Sequence, residues 1–330
     1  MVLPSRPDSG SWVPAVILAV VSWCVYKELE RRKKEQRELE DKRSKIAEEL
    51  TRCARSKVLD IRDEESFYEA HLRASYNMPY DSLRDDNRWY ELPEQHELLL
   101  VLLPSSCTDN HASIAKEFCD RRKPGATAFL VANRDLFDVA RGRGILREGS
   151  PTLGSEGLRP LLFSPCPFLK RAAARLESEL RESGLPLSCL DIGCGSGRDS
   201  VWLANRGWKV TSVDCWDQAL QRTARLAERI GVSDCVEVLK GKVKHTGALE
   251  FPPGPAGKGQ ATENGPSAQV LLGDGKGGRV IGPSTPRSEF VAYGLVVSIR
   301  FLERAAFDML AQLVDPRGLH TSVDIRRGRG

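Results

Sequence analysis

The sequence has few of the features that would place it in a specialised class. Its net charge over 330 residues is only +4, and no basic block is interleaved with aromatic residues, so nucleic acid is not expected as a partner. The 9 cysteines form no Cys-x-x-Cys pair and have no histidine-rich partner segment, which argues against a disulfide framework or a zinc site. We therefore expect reduced thiols and no bound metal.

Uninterrupted apolar runs are scarce, and one of them covers residues 12–26. It is shorter than the roughly 20 residues of a usual membrane span, but its ends carry the aromatic residues favoured at membrane interfaces. A cleaved signal or transit segment is the alternative, although the charged region before the run is weak and no small-x-small cleavage site follows. The sequence predicts a single-pass membrane anchor within residues 1–27. The basic residues after it would leave the later domains on the cytosolic side.

Residues 28–55 are dense in Glu, Lys and Arg, with opposite charges four positions apart. This pattern predicts an exposed helical spacer. Leu39, Ile46 and Leu50 are spaced like part of a coiled-coil seam, but too few heptads support dimerisation.

The most informative pattern is a glycine-rich turn after an apolar strand start, with an acidic residue about twenty residues later in the chain. Gly193, Gly195 and Gly197 allow backbone conformations and close approaches that side chains would prevent. Asp214 ends the next strand-like run and is placed to accept hydrogen bonds from ribose hydroxyls. Asp191 precedes the glycines and suits a cationic ligand. Together they predict a nucleoside pocket.

The spacing Asp-x-Gly-x-Gly-x-Gly at residues 191–197 resembles motif I of the class I S-adenosylmethionine-dependent methyltransferases. The longer string over residues 191–204 resembles the branch with tellurite-resistance and small thiol methyltransferases. The resemblance implies S-adenosylmethionine as cofactor. The positions that would bind it are Asp191, Gly193, Cys194, Gly195, Ser196, Gly197 and Asp214.

Alternating strand and helix patterns over residues 161–330 predict an α/β fold with a Rossmann-like, doubly wound parallel sheet and its pocket at the strand C-termini. Residues 251–287 are crowded with Gly, Pro, Lys and Ser and are expected to be a disordered insertion. Compared with the family, the last two strands are missing, so the domain is expected to be C-terminally short, and residues 240–245 offer no acid for the adenine.

Methyl transfer needs positioning more than a catalytic triad. The resemblance implies a small thiol, selenium or tellurium acceptor, and an arginine could hold such a soft anion near the methyl group. Arg198 and Arg300 are the candidates, and an ordinary ion pair is the alternative role for each.

Residues 56–142 resemble a rhodanese domain, with Asp60 and Arg62 at the strand end and His71 in the following turn. The position of the sulfur-carrying cysteine falls on a proline or serine. Cys107 lies two or three residues later, in a loop without the usual glycine and arginine. We therefore expect an inactive module, joined by a linker at residues 143–160 to the methyltransferase domain.

Three hypotheses follow. The first is a membrane-anchored methyltransferase fused to an inactive rhodanese module. The second is a sulfurtransferase in which Cys107 carries a persulfide. The third is a non-catalytic scaffold that senses the cofactor.

Overall fold

The computed structural model describes residues 13–106, 110–149, 160–252, 279–281, 292–299 and 304–315. The chain divides into two compact units. Unit 1 comprises Met1–Asn77 and Leu98–Gly149, and unit 2 comprises Met78–Glu97 and Ser150–Gly330.

The α-helices of the described residues are α1 (Val13–Arg52), α2 (Glu64–Glu69), α3 (Tyr80–Asp85), α4 (His111–Arg121), α5 (Arg134–Gly142), α6 (Pro167–Glu182), α7 (Arg198–Asn205), α8 (Asp217–Ile230) and α9 (Phe307–Gln312). Short 3-10 helices lie at Arg88–Glu91, Ser233–Cys235 and Arg304–Ala306.

The strands of the described residues are β1 (Lys57–Asp60), β2 (His71–Leu72), β3 (Ser75–Asn77), β4 (Leu99–Pro104), β5 (Thr127–Ala132), β6 (Leu146–Arg147), β7 (Ser188–Ile192), β8 (Lys209–Asp214), β9 (Val236–Lys240), β10 (Lys242–Val243), β11 (Leu249–Phe251), β12 (Arg279–Ile281) and β13 (Leu295–Val297).

Unit 1 is built on a four-stranded parallel sheet in the order β3-β1-β4-β5. The central strand β4 is buried from Leu99 to Leu103 because helices cover both faces of a parallel sheet, which explains its continuous apolar sequence. Beside this sheet, β2 pairs antiparallel with β6.

The predicted membrane anchor is contradicted. Residues 13–26 form the start of α1, which continues without a break into the charged segment. In the described part of the chain, no helix combines the length and the apolar character that a bilayer span requires. The apolar part of α1 measures only about 21 Å at 1.5 Å per residue, against about 30 Å of hydrocarbon. The predicted single-pass membrane localisation, with domains on the cytosolic side, was wrong.

The charged spacer predicted over residues 28–55 is helical up to Arg52, but the last part of this helix packs against the rest of unit 1. Leu50 is buried in the core of unit 1, and Ile46 packs against the same cluster. Arg43 bridges to the α5 residues Asp138, at 2.6 Å, and Asp135, at 3.6 Å. The widely spaced apolar residues of this segment therefore mark an intramolecular contact with α5.

Unit 2 is built on a parallel sheet in the order β13-β7-β8-β9, so the first strand along the chain is central. Connections of strand, helix and parallel strand place α7 and α8 between successive strands, as the alternating sequence pattern predicted. The carboxyl ends of β7 and β8 lie next to each other, with Asp191 beside Ser212 in the register. The prediction of an α/β fold with parallel sheets is confirmed.

A second sheet in unit 2 corrects the disordered insertion predicted over residues 251–287. Phe251 is fully buried at the end of β11, and β12 inside the predicted insertion pairs antiparallel with β11. Ile281 is buried while its neighbour Val280 is exposed, so the strand is half-buried. A three-residue strand within a Gly- and Pro-rich composition leaves too short a pattern to detect. Residues 253–278 and 282–291 lie outside the described part.

Two predicted boundaries also differ. Residues 78–97, predicted within the 56–142 domain, belong to unit 2. The predicted linker over 143–160 begins with β6, which pairs with β2 through Leu146 and Arg147 and so completes unit 1. Glycines around this strand outweigh its two-residue apolar signal in the sequence.

Candidate functional site

The glycine-rich turn of unit 2 joins β7 to α7. Gly193, Gly195 and Gly197 all have positive φ, at 77°, 59° and 77°, a region that side chains disfavour. A Cβ on Gly197 would lie 2.8 Å from the Cα of Thr223 on α8, whereas a Cβ on Gly195 would meet no atom within 4 Å. Packing therefore requires glycine at 197, and backbone conformation requires it at 195.

Most backbone N–H groups of this turn already have partners. Gly193 and Cys194 both donate to the carbonyl of Val213, at 2.8 and 3.1 Å. Gly195 donates to a carboxylate oxygen of Asp214, and Gly197 donates to the carbonyl of Cys194. A loop that cradles phosphate keeps such donors for its ligand. The turn is thus unlike a phosphate cradle and suits a nucleoside ligand without phosphate at this position.

Asp214 lies at the carboxyl end of β8 and ties two loops together. Its Oδ2 accepts from the N–H of Gly195 and its Oδ1 accepts from the N–H of Trp216, both at 3.0 Å. The carboxylate lines the cavity described below and keeps lone pairs that hydroxyl groups of a ligand can use.

Asp191, near the end of β7, is buried with 3% of its surface exposed. The Ser200 hydroxyl on α7 donates to it. Burial, together with the nearby negative charge of Asp199, raises the pKa of Asp191 to about 7. A cation placed in the cavity would favour the ionised form of this carboxylate.

Cys194 and Ser196 complete the predicted cofactor loop, and both line the cavity. The Sγ of Cys194 lies 3.7 Å from the Thr223 hydroxyl. Burial raises the pKa of the Cys194 thiol far above its ordinary value, so this cysteine is a packing residue and not a nucleophile.

Asp199 is a site residue that the sequence interpretation did not single out. Its carboxylate accepts from the N–H of Cys166 at 2.6 Å, which links the start of α6 to the glycine-rich turn. Both residues line the cavity. The sequence feature that could have identified Asp199 is its position within the motif at residues 191–204, directly after Arg198.

All these groups surround one cavity of about 750 Å³ at the carboxyl edge of the unit 2 sheet. This volume falls in the range of small-molecule and cofactor sites. At the end of β9 the wall is made by Gly241, Lys242 and Val243, and Lys240 itself pairs with Asp217 at 2.8 Å. Among the described residues, the end of β9 therefore brings no carboxylate to the cavity where the resembled family places one for adenine.

Part of the cavity wall comes from residues 94–97, which the sequence interpretation assigned to the other domain. Glu94, His96 and Glu97 all line the cavity. The Glu97 carboxylate accepts from the N–H of Glu94 at 3.1 Å and from the Ser164 hydroxyl at 3.2 Å. No motif in this stretch predicted the contact, because it depends on how the chain crosses between the units.

Of the two arginines predicted to hold an acceptor, Arg198 lines the cavity and Arg300 lies outside the described residues. The Arg198 guanidinium donates to Glu94 Oε1 at 3.2 Å and lies over the Phe163 ring at 5.5 Å. Its positive charge is thus offset within the wall.

The carboxyl edge of the unit 1 sheet holds the predicted pair of Asp60 and Arg62. Both are buried, and the guanidinium donates twice to the carboxylate, at 2.9 and 2.6 Å. Its remaining donors reach the carbonyls of Ser66 and Ala70, at 2.9 and 2.6 Å. His71 stacks on Phe67 and contacts the carbonyl of that residue through Nδ1. Burial lowers the pKa of this histidine.

Cys107 lies outside the described residues, and its neighbours Ser105 and Ser106 line a polar hollow of about 520 Å³. In the parts of the chain that the structure describes, no group of three or more His, Cys, Asp or Glu side chains is arranged to hold a metal ion.

With this geometry in view, residues 189–256 match a family model described as a methyltransferase domain. The matched segment runs from β7 through the glycine-rich turn, Asp214 and the strands that line the cavity. That match supports a methyltransferase domain in unit 2.

Two relatives are similar in sequence. The uncharacterized protein UNK4.09 of Schizosaccharomyces pombe is 29% identical over 270 residues, which cover 79% of this chain and 74% of that protein. A probable cobalt-precorrin-6B C(15)-methyltransferase (decarboxylating) of Pyrobaculum calidifontis is 39% identical over 75 residues, covering 22% of this chain and 37% of that protein. The second match therefore spans little more than a third of its relative.

Two solved structures are similar over part of the chain. A SAM-dependent methyltransferase of Geobacter sulfurreducens in complex with S-adenosyl-L-homocysteine has 18% identity and a TM-score of 0.27, covering 45% of each chain. The SAM-dependent methyltransferase of Agrobacterium tumefaciens has 12% identity and a TM-score of 0.31, covering 48% of this chain and 46% of that one. TM-scores of this size do not establish a common fold over the chain.

Proposed function

We propose that unit 2 is an S-adenosylmethionine-dependent methyltransferase acting on a small acceptor, and that unit 1 is a rhodanese-like module without sulfurtransferase activity. One observation carries the first part. The buried Asp191, the glycine-rich turn and Asp214 line a single cavity of about 750 Å³, inside the segment that matches the methyltransferase model.

The residues of the cavity fit this cofactor better than a dinucleotide. A dinucleotide brings two phosphates, but most N–H donors of the turn are already bonded within the protein. In addition, three carboxylates, Asp191, Asp199 and Asp214, line the same cavity. S-adenosylmethionine has no phosphate and carries a positive sulfonium, which carboxylates stabilise. When bound, it supplies a methyl group already activated for displacement.

Each residue of the site then has a role. Asp214 accepts hydrogen bonds from the ribose hydroxyls, and its bonds to Gly195 and Trp216 hold its orientation fixed beforehand. Asp191 supplies negative charge at the floor of the cavity. A Cβ on Gly241 would lie only 2.8 Å from the Val213 side chain, so close packing requires glycine at this point of the cavity wall. Cys194 and Ser196 line the same space.

The acceptor is the less defined part of the proposal. That the acceptor is a thiol, selenium or tellurium compound remains a prediction. This prediction depends on Arg198 or Arg300 to hold the anionic acceptor. Arg198 is engaged by Glu94, so it offers little uncompensated charge to such an acceptor. For sulfur transfer by Cys107 the described residues supply no supporting observation, and Arg62 is engaged by the Asp60 carboxylate and by two backbone carbonyls of unit 1.

Isothermal titration calorimetry of the full-length chain tests the proposal. We expect S-adenosylmethionine and S-adenosylhomocysteine to bind in the micromolar range, NAD not to bind, and Asp214→Ala to weaken both ligands at least 100-fold. Asp234→Ala is the matched control, because Asp234 is an exposed acid that does not line the cavity. Folded wild-type protein that binds neither ligand would refute the proposal. Binding without methyl transfer to any acceptor would favour a cofactor-sensing scaffold.

A further inference from the structure

The segment of residues 78–97 is anchored to unit 2 through a buried cluster of charges. Arg88 donates to both carboxylate oxygens of Glu91, at 2.9 and 3.0 Å, and both side chains are buried. Arg229 on α8 also donates to Glu91, and to the Tyr90 hydroxyl at 2.9 Å. Arg222, two helical turns earlier on α8, lies 5.4 Å from the centre of the Tyr90 ring.

This anchoring fixes the end of the segment as a wall of the cavity. Glu94 holds Arg198 at the start of α7, and Glu97 holds Ser164 before α6. The two carboxylates and the imidazole of His96 all line the cavity. We call residues 94–97 the acceptor wall.

In the cavity lining, carboxylates outnumber basic side chains. Five carboxylates line it (Glu94, Glu97, Asp191, Asp199 and Asp214), against two basic side chains (Arg198 and Lys242). Of these two basic side chains, Arg198 is the one that pairs with Glu94 of the acceptor wall. An anionic acceptor entering here would meet like charge, whereas a cationic acceptor would be attracted.

Resting on the proposed function, we propose that the acceptor wall selects a positively charged amine as the methyl acceptor, and not a thiolate or an oxyanion. The ammonium group loses a proton to the His96 imidazole, and the freed nitrogen lone pair forms the new N–C bond. The C–S bond of the sulfonium breaks, and its electron pair stays on sulfur. The products are a methylated ammonium, a neutral thioether and a His96 imidazolium, so charge and atoms balance.

A pair of cofactor analogues tests the charge of the wall without knowledge of the acceptor. Sinefungin carries an ammonium-bearing carbon where the methyl-bearing sulfur would be, and S-adenosylhomocysteine is neutral there. In the full-length chain we expect Glu94→Gln and Glu97→Gln each to weaken sinefungin about 3- to 10-fold while S-adenosylhomocysteine changes less than twofold. Glu228→Gln removes an exposed carboxylate of α8 that does not line the cavity, and should change neither.

Several outcomes would overturn the inference. Equal weakening of both analogues by Glu94→Gln and Glu97→Gln would mean that the wall supports the fold or the cofactor. Unchanged sinefungin affinity would mean that the wall carries no charge selection. If wild-type protein binds neither analogue, the proposed function itself has failed, and the two failures are thereby told apart.

Transfer of a radiolabelled methyl group gives a second readout. The probes are 1,4-diaminobutane and N-acetyl-lysine on one side, and 2-mercaptoethanol and tellurite on the other. We expect transfer to an amine, with Glu94→Gln raising its KM several-fold at little cost in kcat, and with His96→Ala lowering kcat. Transfer to mercaptoethanol or tellurite without transfer to either amine would overturn the inference. If none of the four is methylated, the affinity ratio of the two analogues decides.

Discussion

The two units invite comparison because each has a four-stranded parallel sheet, and each has an Asp near the end of its first central strand. In unit 1, Asp60 is buried against Arg62, which donates to this carboxylate and to the carbonyls of Ser66 and Ala70. In unit 2, Asp191 is buried just as deeply but is bonded by a serine hydroxyl and surrounded by further carboxylates.

We propose that this difference separates a structural carboxylate, Asp60, from a carboxylate that serves a ligand site, Asp191. An arginine that satisfies its carboxylate completely stabilises the loop and leaves no charge for a ligand. A carboxylate whose pKa is raised to about 7 by burial and by like charge is poorly stabilised by the protein alone. At the edge of similar sheets, a strand-end carboxylate can therefore either stabilise the loop or remain available to a ligand. The residues that follow the strand determine which of the two occurs.

The largest expected effect tests the structural side of this comparison. Arg62→Met leaves the Asp60 carboxylate buried without its partner, and we expect the free energy of unfolding of unit 1 to fall by about 3–5 kcal/mol. Chemical denaturation followed by circular dichroism measures this. The double variant Asp60→Leu/Arg62→Met removes both charges, and we expect it to recover most of the loss.

If the single and double variants were equally unstable, the pair itself would not be the cause. S-adenosylhomocysteine affinity, measured where unit 1 is still folded, should stay at the wild-type value. A loss of affinity in Arg62→Met would break the comparison, because it would give the unit 1 carboxylate a role in the site.

The next effect concerns the turn of unit 2. Gly197→Ala must adopt a positive φ and also place its Cβ 2.8 Å from the backbone of Thr223, so we expect a loss of about 3 kcal/mol in unfolding free energy. Gly184→Ala is the matched control, since Gly184 has a φ of 68° but open space around its Cβ. It should cost only about 1 kcal/mol. Equal losses would show that conformation, and not the close approach to α8, determines this glycine.

Much of unit 2 could be predicted because its signals are local. The strand before the turn, the glycines with positive φ and the acid at the end of β8 follow one another within 24 residues, from Asp191 to Asp214. Glycine and a strand-end acid report directly on the backbone they need. The same alternation of strands and helices predicted a parallel sheet, whereas the order β13-β7-β8-β9 comes from the structure.

The parts that were missed depend on distant contacts. Residues 94–97 have no motif, and their place in the cavity follows only from the Glu91–Arg229 pair far along the chain. The apolar start of α1 has the composition of a membrane segment, but it lacks the length. Apolar composition alone does not distinguish these cases, whereas the length of the apolar stretch does.

A pH dependence tests the functional side. The pKa of Asp191 is about 7 in the folded protein and 3.8 in the unfolded reference, so the folded state binds more protons between these values. Its contribution to stability therefore falls as pH rises from about 4 to 7 and is constant above. A sulfonium ligand favours the ionised form, so S-adenosylmethionine affinity should rise about tenfold from pH 6 to pH 8. Calorimetry at the two pH values measures this.

Asp191→Asn removes the titrating group while keeping an acceptor for Ser200. We expect the ligand-free variant to be more stable than wild type at pH 8, by about 2 kcal/mol, and the pH dependence of S-adenosylmethionine binding to disappear. S-adenosylhomocysteine, which lacks the positive charge, should show a weaker pH dependence in the wild type. A pH dependence that survives in Asp191→Asn would assign it to another group of the cavity.

The smallest effect returns to the edge of the unit 1 sheet. Asn133 lines the polar hollow there, yet its side chain accepts from the N–H of Leu136 at 3.0 Å and so caps α5. Because that role is structural, Asn133→Ala should cost about 1 kcal/mol of unfolding free energy in unit 1, and Asn133→Asp should recover most of it. Neither variant should alter cofactor affinity or methyl transfer. Should Asn133→Ala leave stability unchanged but alter transfer, the hollow would be a functional site, and the contrast between the two sheet edges would no longer hold.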